Sequence, residues 1–228
     1  MKLYDLAGAD AELRFSPFCW RIKMALAHKG LSVETIPWRF TEKSALPPPN
    51  AGQVPVLVDG ERVIADSWKI AGYLDQRYPD RPLFEGAQAK AQALLIKFWV
   101  EGSIHPLFAR LLVPGIFGIL DARDKPYFQE TREKRFGMPL EQLATQSEQS
   151  LRTLREGLGP LRAMLAEQPF VAGQAPGFSD YIVFAPLQWA RCSSSMTLLE
   201  SDDPVFAYRE RMLDLHDGFA RKAACASS

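Results

Sequence analysis

The chain has 228 residues, 47% hydrophobic and 24% charged, with Lys plus Arg and Asp plus Glu balanced at 27 each. This suits a globular protein of one large or two modest domains, and the even charge lacks the electrostatic footprint of a nucleic-acid binder. Three widely separated cysteines (Cys19, Cys192, Cys225) argue against a disulfide framework, and His28, His105 and His216 show no ligand spacing, so no metal site is predicted.

The opening residues, Met1-Lys2-Leu3-Tyr4-Asp5, lack the apolar segment of a secretion signal. A short strand is predicted over Lys2 to Leu6. Pro17 to Lys29 carries apolar residues at Phe18, Ile22, Ala25 and Leu26, a helical stripe that stops at Gly30. Leu31 to Pro37 alternates as a strand. Val54 to Val58, Asp59-Gly60 and Arg62 to Ala65 read as a hairpin, and a helix follows from Ser67 to Tyr78. The order is β-α-β, a loop-rich crossover, then β-β-α. Pro79-Asp80-Arg81-Pro82 reads as a linker. Beyond it only helical periodicity remains, over Gln88 to Leu112, Leu140 to Leu165, Ser179 to Ala190 and Pro204 to Ala220, with breaks expected at Pro114, Pro139 and Gly159-Pro160. The longest apolar run, Ala93 to Val100, is interrupted by Lys97 and falls far short of a membrane span. A cytoplasmic protein without a membrane segment is expected, with domains at residues 1–80 and 87–228.

Three features of the first eighty residues bear on chemistry. Ser16 suits the N-cap of the first helix and Pro17 its first turn. A helix start carries unpaired N–H groups and partial positive charge, so it favours an anion. A hydroxyl there has a hydrogen to donate to a bound thiolate, or it is a cap and nothing more. Val54-Pro55 puts a proline inside a strand pattern, where it cannot donate to the ladder. A cis bond there would turn the N–H and C=O of Val54 outward to pair with an extended peptide; the alternative is an ordinary trans proline at a strand start. Asp66-Ser67 precedes a helix: the serine and helix N–H groups suit a carboxylate and Asp66 an ammonium, together the zwitterionic end of an amino acid, or they merely cap.

Ser16-Pro17-Phe18-Cys19 resembles the Cys-Pro-aromatic-Cys motif of glutaredoxins with its leading cysteine replaced. The run Asn50-Ala51-Gly52-Gln53-Val54-Pro55-Val56-Leu57, then Asp66-Ser67, and Gly177-Phe178-Ser179-Asp180-Tyr181 resemble the glutathione S-transferase superfamily over nearly the whole length. Within it, Ser16 to Lys23, Asp66-Ser67-Trp68, Tyr78 to Pro82, Asp202-Asp203-Pro204 and Leu213 to Gly218 are similar to the bacterial glutathione-dependent β-aryl etherases. The resemblance implies a thioredoxin-like α/β domain joined to an all-α bundle, the glutathione S-transferase fold. Glutathione would be the co-substrate, with no metal, and the assembly a homodimer. Ser16 would hold the glutathione sulfur and Val54, beside Pro55, would pair with the cysteinyl backbone. Asp66 and Ser67 would hold the γ-glutamyl end, with Gln53, Lys43 and Arg39 near the carboxylates. A hydrophobic, aromatic electrophile would lie between the domains against Phe15, Phe18, His105, Phe108 and Leu112. Cys19 reads as a packed residue, His28 as a solvent-facing helix end, and Gln129 to Arg135 as a solvated helix face. The rival expectations are a glutathione-binding protein without turnover and a thiol–disulfide oxidoreductase; the serine at position 16 argues against the latter.

Overall fold

The computed structural model describes residues 1–48 and 52–226. The first strand, β1 (Lys2–Leu6), leads through a loop into helix α1 (Pro17–Lys29), which Gly30 ends in the left-handed region (φ 68°). β2 (Glu34–Trp38) returns parallel to β1, starting three residues later than the alternation suggests. β3 (Val56–Asp59) and β4 (Arg62–Ala65) form the expected hairpin around Gly60 (φ 60°), and helix α2 (Ser67–Arg77) follows. The sheet order is β2-β1-β3-β4, with β3 antiparallel to β1. Strand pairing fixes the site. Tyr4 lies opposite Val56, and Val56 opposite Ala65. The C-terminal end of β1, the Val54-Pro55 step and the Asp66-Ser67 corner therefore share one edge of the sheet.

The helical part begins with α3 (Gly86–Trp99), passes through a wide turn at Val100–Ile104 and continues as α4 (His105–Ile119). In that turn the His105 N–H reaches back five residues to the Val100 carbonyl, a π-type insertion of a kind often found at functional sites. The break expected at Pro114 does not occur: the proline sits inside α4, leaving the Arg110 carbonyl without its usual helical donor. This run of 34 residues is long and apolar enough to cross a membrane by length and mean hydropathy. It also carries the Lys97–Glu101 ion pair at 2.7 Å and buries Val100, Ile104, Phe108, Leu111 and Leu112 in the protein core.

Helix α5 (Lys125–Phe136) ends at Gly137. From Leu140 the helical stretch breaks first at Gln146, between α6 (Leu140–Thr145) and α7 (Ser147–Gly157), and then at the expected Gly159-Pro160, where α8 (Gly159–Glu167) begins. Helix α9 (Phe178–Ser193) is buried along almost its whole length and packs against α1, joining the two halves. At its start the wholly buried Asp180 carboxylate accepts from the N–H groups of Val171 (2.7 Å), Ala172 and Gly177 (3.0 Å each) and from the Tyr208 hydroxyl (3.2 Å). A glycine at the cap has no side chain to contribute, and the aspartate does the capping alone. Helix α10 (Pro204–Gly218) turns non-helical at Leu215, with His216 and Asp217 at φ 54° and 57°. His28 is not the solvent-facing residue expected. Its Nδ1 lies 2.6 Å from the Tyr181 hydroxyl, which is 3.2 Å from Nε2 of His216.

Candidate active site

Ser16 is the N-cap of α1, in extended conformation (φ −62°, ψ 122°), and its Oγ accepts from the Cys19 N–H at 3.3 Å. It is 4% exposed, and that remainder opens into a cleft of about 470 Å³ between the sheet and the helices. Cys19 is wholly buried, and desolvation together with the nearby Asp5 carboxylate pushes its thiol well above the ordinary range. It stays a neutral packed group with no thiolate to offer.

The Val54-Pro55 bond is cis. Val54 lines the cleft, and its N–H and C=O have no backbone partner among the described residues. Gln53 and Gly52 line the same wall. Asn50 and Ala51, which open the motif read from the sequence, lie outside the described residues. Lys43 packs alongside: a Cβ on Gly52 would touch its side chain, and its Nζ lies 4.8 Å from the centre of the Tyr127 ring.

Asp66, not Ser67, is the N-cap of α2. Its Oδ1 accepts from Trp68 and Lys69 N–H at 3.0 Å each, and its φ of 79° is in the left-handed region, uncommon for a non-glycine residue. Such strain, typically about 1–3 kcal/mol, tends to gather at functional sites. Ser67 is 3% exposed and its hydroxyl makes no hydrogen bond among the described residues.

Arg39 departs from expectation. Its guanidinium donates to the carbonyls of Gly8 and Ala9 (3.2 Å each) and lies 3.7 Å from both Asp121 and Glu42, so it clamps loops outside the cleft lining. Phe108 and Leu112 are corrected as well: each is 1% exposed and belongs to the core. The cleft is bordered on α4 by His105 and by Ala109, Val113 and Ile116, themselves buried, whereas Phe108 and Leu112 do not reach it. Phe15, Phe18 and His105 do line the cleft. Phe18 meets His105 at 5.4 Å between ring centres, and His105 stacks on Trp189 at 5.0 Å. Burial, with Arg135 and Arg21 nearby, lowers the His105 pKa to about 4, so the ring is neutral at pH 7.

The opposite wall comes from the loop after β2 and from α5, where the sequence predicts only a solvated helix face. The buried Asp124 carboxylate accepts from Phe40 N–H (2.9 Å), Thr41 N–H (3.0 Å) and the Thr41 hydroxyl (2.7 Å), tying the loop after β2 to the start of α5. Phe40 thereby meets Phe128 at 5.7 Å and Tyr127 at 6.3 Å between ring centres. Phe128, Arg132 and Arg135, spaced i, i+4 and i+7, project into the cleft from one face of α5, which is therefore not merely solvated. That aromatic-cationic spacing is the sequence signal that could have found them. Beneath the cleft, Arg21 of α1 pairs with Glu101 in the wide turn at 2.6 Å, fixing α1 against the long helix.

Fold and cleft together define a thioredoxin-like α/β unit joined to an all-helical one, with a binding cleft between them. A model of the glutathione S-transferase N-terminal domain matches residues 11–82, and one of the C-terminal domain matches residues 91–203. The glutathione S-transferase-like protein ustS of Aspergillus flavus is 36% identical over 138 residues, 55% of this chain and 49% of its own length. A zeta-class glutathione S-transferase of Euphorbia esula is 36% identical over 94 residues, 39% of this chain and 42% of its own. The chain thus spans about half or less of the length of these curated relatives. Among solved structures, a Ceriporiopsis subvermispora glutathione S-transferase in complex with glutathione shares the fold at a TM-score of 0.79 and 21% identity, over 96% of both chains. A glutathione transferase of Phanerochaete chrysosporium does so at 0.75 and 23%, over 97% of this chain and 93% of that one. Both halves of the family are matched in order, and the chain belongs to the glutathione S-transferase superfamily.

Proposed function

We propose that this protein is a glutathione transferase in which Ser16 holds the ionised sulfur of glutathione against an aromatic electrophile. The observation that carries the reading is the convergence on one sheet edge of Ser16, the unpaired Val54 backbone and the Asp66-Ser67 corner, beside an apolar cleft. These groups fit an extended γ-glutamyl tripeptide. Val54 pairs with the cysteinyl backbone as a strand edge pairs with a peptide. The free Oδ2 of Asp66 meets the α-ammonium, while the Ser67 hydroxyl meets the α-carboxylate. Gln53 and Lys43 serve the glycine end. The Ser16 hydroxyl donates to the sulfur, and the N-terminus of α1 adds its field. A free thiol has a pKa of about 8.5, and lowering it by about one unit takes about 1.4 kcal/mol of preference for the anion, within reach of one charge-assisted hydrogen bond.

The sulfur then forms a bond to the electrophilic carbon and the leaving group departs with its electron pair. Much of the acceleration comes from proximity and a preorganised donor. In the finer reading taken from the etherase resemblance, the leaving group is an aryloxide, which takes a proton from water after the C–O bond breaks. Residues 1–80 serve as the glutathione half and those from 87 onward as the electrophile half. The protein acts in the cytoplasm as a homodimer, for which the exposed Leu94, Leu95 and Phe98 on α3 offer an apolar face.

The test is an activity panel pairing glutathione with β-aryl ethers, halogenated aromatics and organic peroxides, read by product mass. Thioether or cleaved ether supports transfer, whereas tight binding without product favours a non-catalytic binder. If titration calorimetry finds no affinity for reduced glutathione, the reading fails.

A further inference from the structure

We infer that the second substrate is an aromatic anion, an aryl carboxylate whose charged end is held by Arg132 and Arg135. This rests on the transferase reading of the same cleft. Among the described residues the cleft lining contains no aspartate or glutamate, yet it contains two arginines. Near the cleft, Arg21 and Arg39 each meet a carboxylate within 4 Å. Arg132 and Arg135 meet none among the described residues. Arg132 donates to the Thr131 hydroxyl at 2.9 Å, and its guanidinium carbon lies 4.7 Å from the centre of the Phe128 ring and 5.2 Å from that of Phe40. Arg135 is exposed at the rim, with the Phe136 ring 5.8 Å away.

A guanidinium held over aromatic rings loses freedom of position, and its N–H fork suits a planar carboxylate. A partly buried cation without a counterion is costly, and a bound anion relieves that cost. The field of Arg135 is already felt in the cleft, because it helps to keep His105 neutral. The rings of Phe18, Phe40, Phe128 and Trp189 supply the apolar surface for the aryl group. The two ends of the site thus ask for one molecule with both properties. Glutathione's own carboxylates have other candidate partners in Ser67, Gln53 and Lys43, on the sheet side.

The experiment uses a chloro-dinitrobenzene and the chloro-dinitrobenzoate that differs from it only by a carboxylate para to the chlorine. In both, the glutathione sulfur bonds to the ring carbon and chloride leaves with the electron pair. The wild type should prefer the benzoate, after correction for the uncatalysed rates. Arg135→Gln and Arg132→Gln should each lower the benzoate-to-neutral ratio of kcat/KM by about tenfold, and Arg132→Lys by less. The exposed position of Arg135 keeps its variant informative should Arg132→Gln misfold. Glutathione affinity, measured by calorimetry, should stay within about threefold. An unchanged ratio in the variants, or a fall in glutathione affinity with the ratio intact, overturns the inference. Unreactive dinitrobenzoate titrated alone separates the two readings. Its arginine-dependent binding without any turnover would sink the transferase assignment and leave the carboxylate site standing; absence of both would sink both.

Discussion

The two walls of the cleft are built from different chemistry. The sheet wall offers a hydroxyl, an unpaired stretch of backbone and a strained aspartate, all at the ends of elements. The helical wall offers rings and guanidinium groups, chiefly from α4 and α5. Backbone edges recognise one ligand by fixed hydrogen-bond geometry, whereas a wall of side chains is readily reshaped by substitution. The difference teaches that one wall is suited to an invariant tripeptide and the other to a substrate that varies.

Substitutions that separate frame from surface test this contrast most severely. Phe108→Ala should cost about 3–5 kcal/mol in denaturant unfolding, because it opens a void in the core of the long helix. Its neighbour Ala109 is just as buried but borders the cleft, so Ala109→Leu should cost less, about 1–3 kcal/mol, and should change KM for bulky aromatics but not for glutathione. Asp180→Ala strands three N–H groups and a phenol and should cost at least about 3 kcal/mol, read as a lowered Tm.

On the sheet wall, Ser16→Ala should lower kcat by about a hundredfold with little change in glutathione affinity. Equal losses in both would assign the hydroxyl to binding rather than to the thiolate.

The smallest effect is in pH. His105 and His216 both have their pKa lowered to about 4, for each mainly by burial. In the unfolded chain they take up protons near pH 6.5, in the folded one near 4. The unfolded state therefore binds more protons in between, and stability falls as pH drops through that window. After solvent screening the loss at pH 5 should be on the order of 1 kcal/mol, and His105→Phe should flatten the slope of Tm against pH.

The sheet wall was legible because its signals are local. Ser16-Pro17, Val54-Pro55 and Asp66-Ser67 each break the pattern of a strand or begin a helix, and neighbouring residues carry the whole message. The helical wall was not. Phe108 and Ala109 are adjacent and both buried, and only the rotation of α4 decides which of them borders the cleft; a stripe read from α3 cannot be carried across the wide turn. Arg132 and Arg135 read as solvated because nothing in the sequence reveals that Asp124 ties α5 to the loop bearing Phe40. Arg39 was misread for a related reason. Its partners, the carbonyls of Gly8 and Ala9, lie thirty or so positions upstream and carry no side-chain signature.

The turn at Val100–Ile104 holds one residue more than a regular helix needs there. A single deletion within it would relax the spiral to its common pitch and swing everything downstream by roughly a quarter of a revolution. Ala109 and Val113 would leave the opening and other side chains would take their places. Descendants of this chain thus have a route to a new repertoire through one lost codon, provided the Arg21–Glu101 pair that steadies α1 is kept.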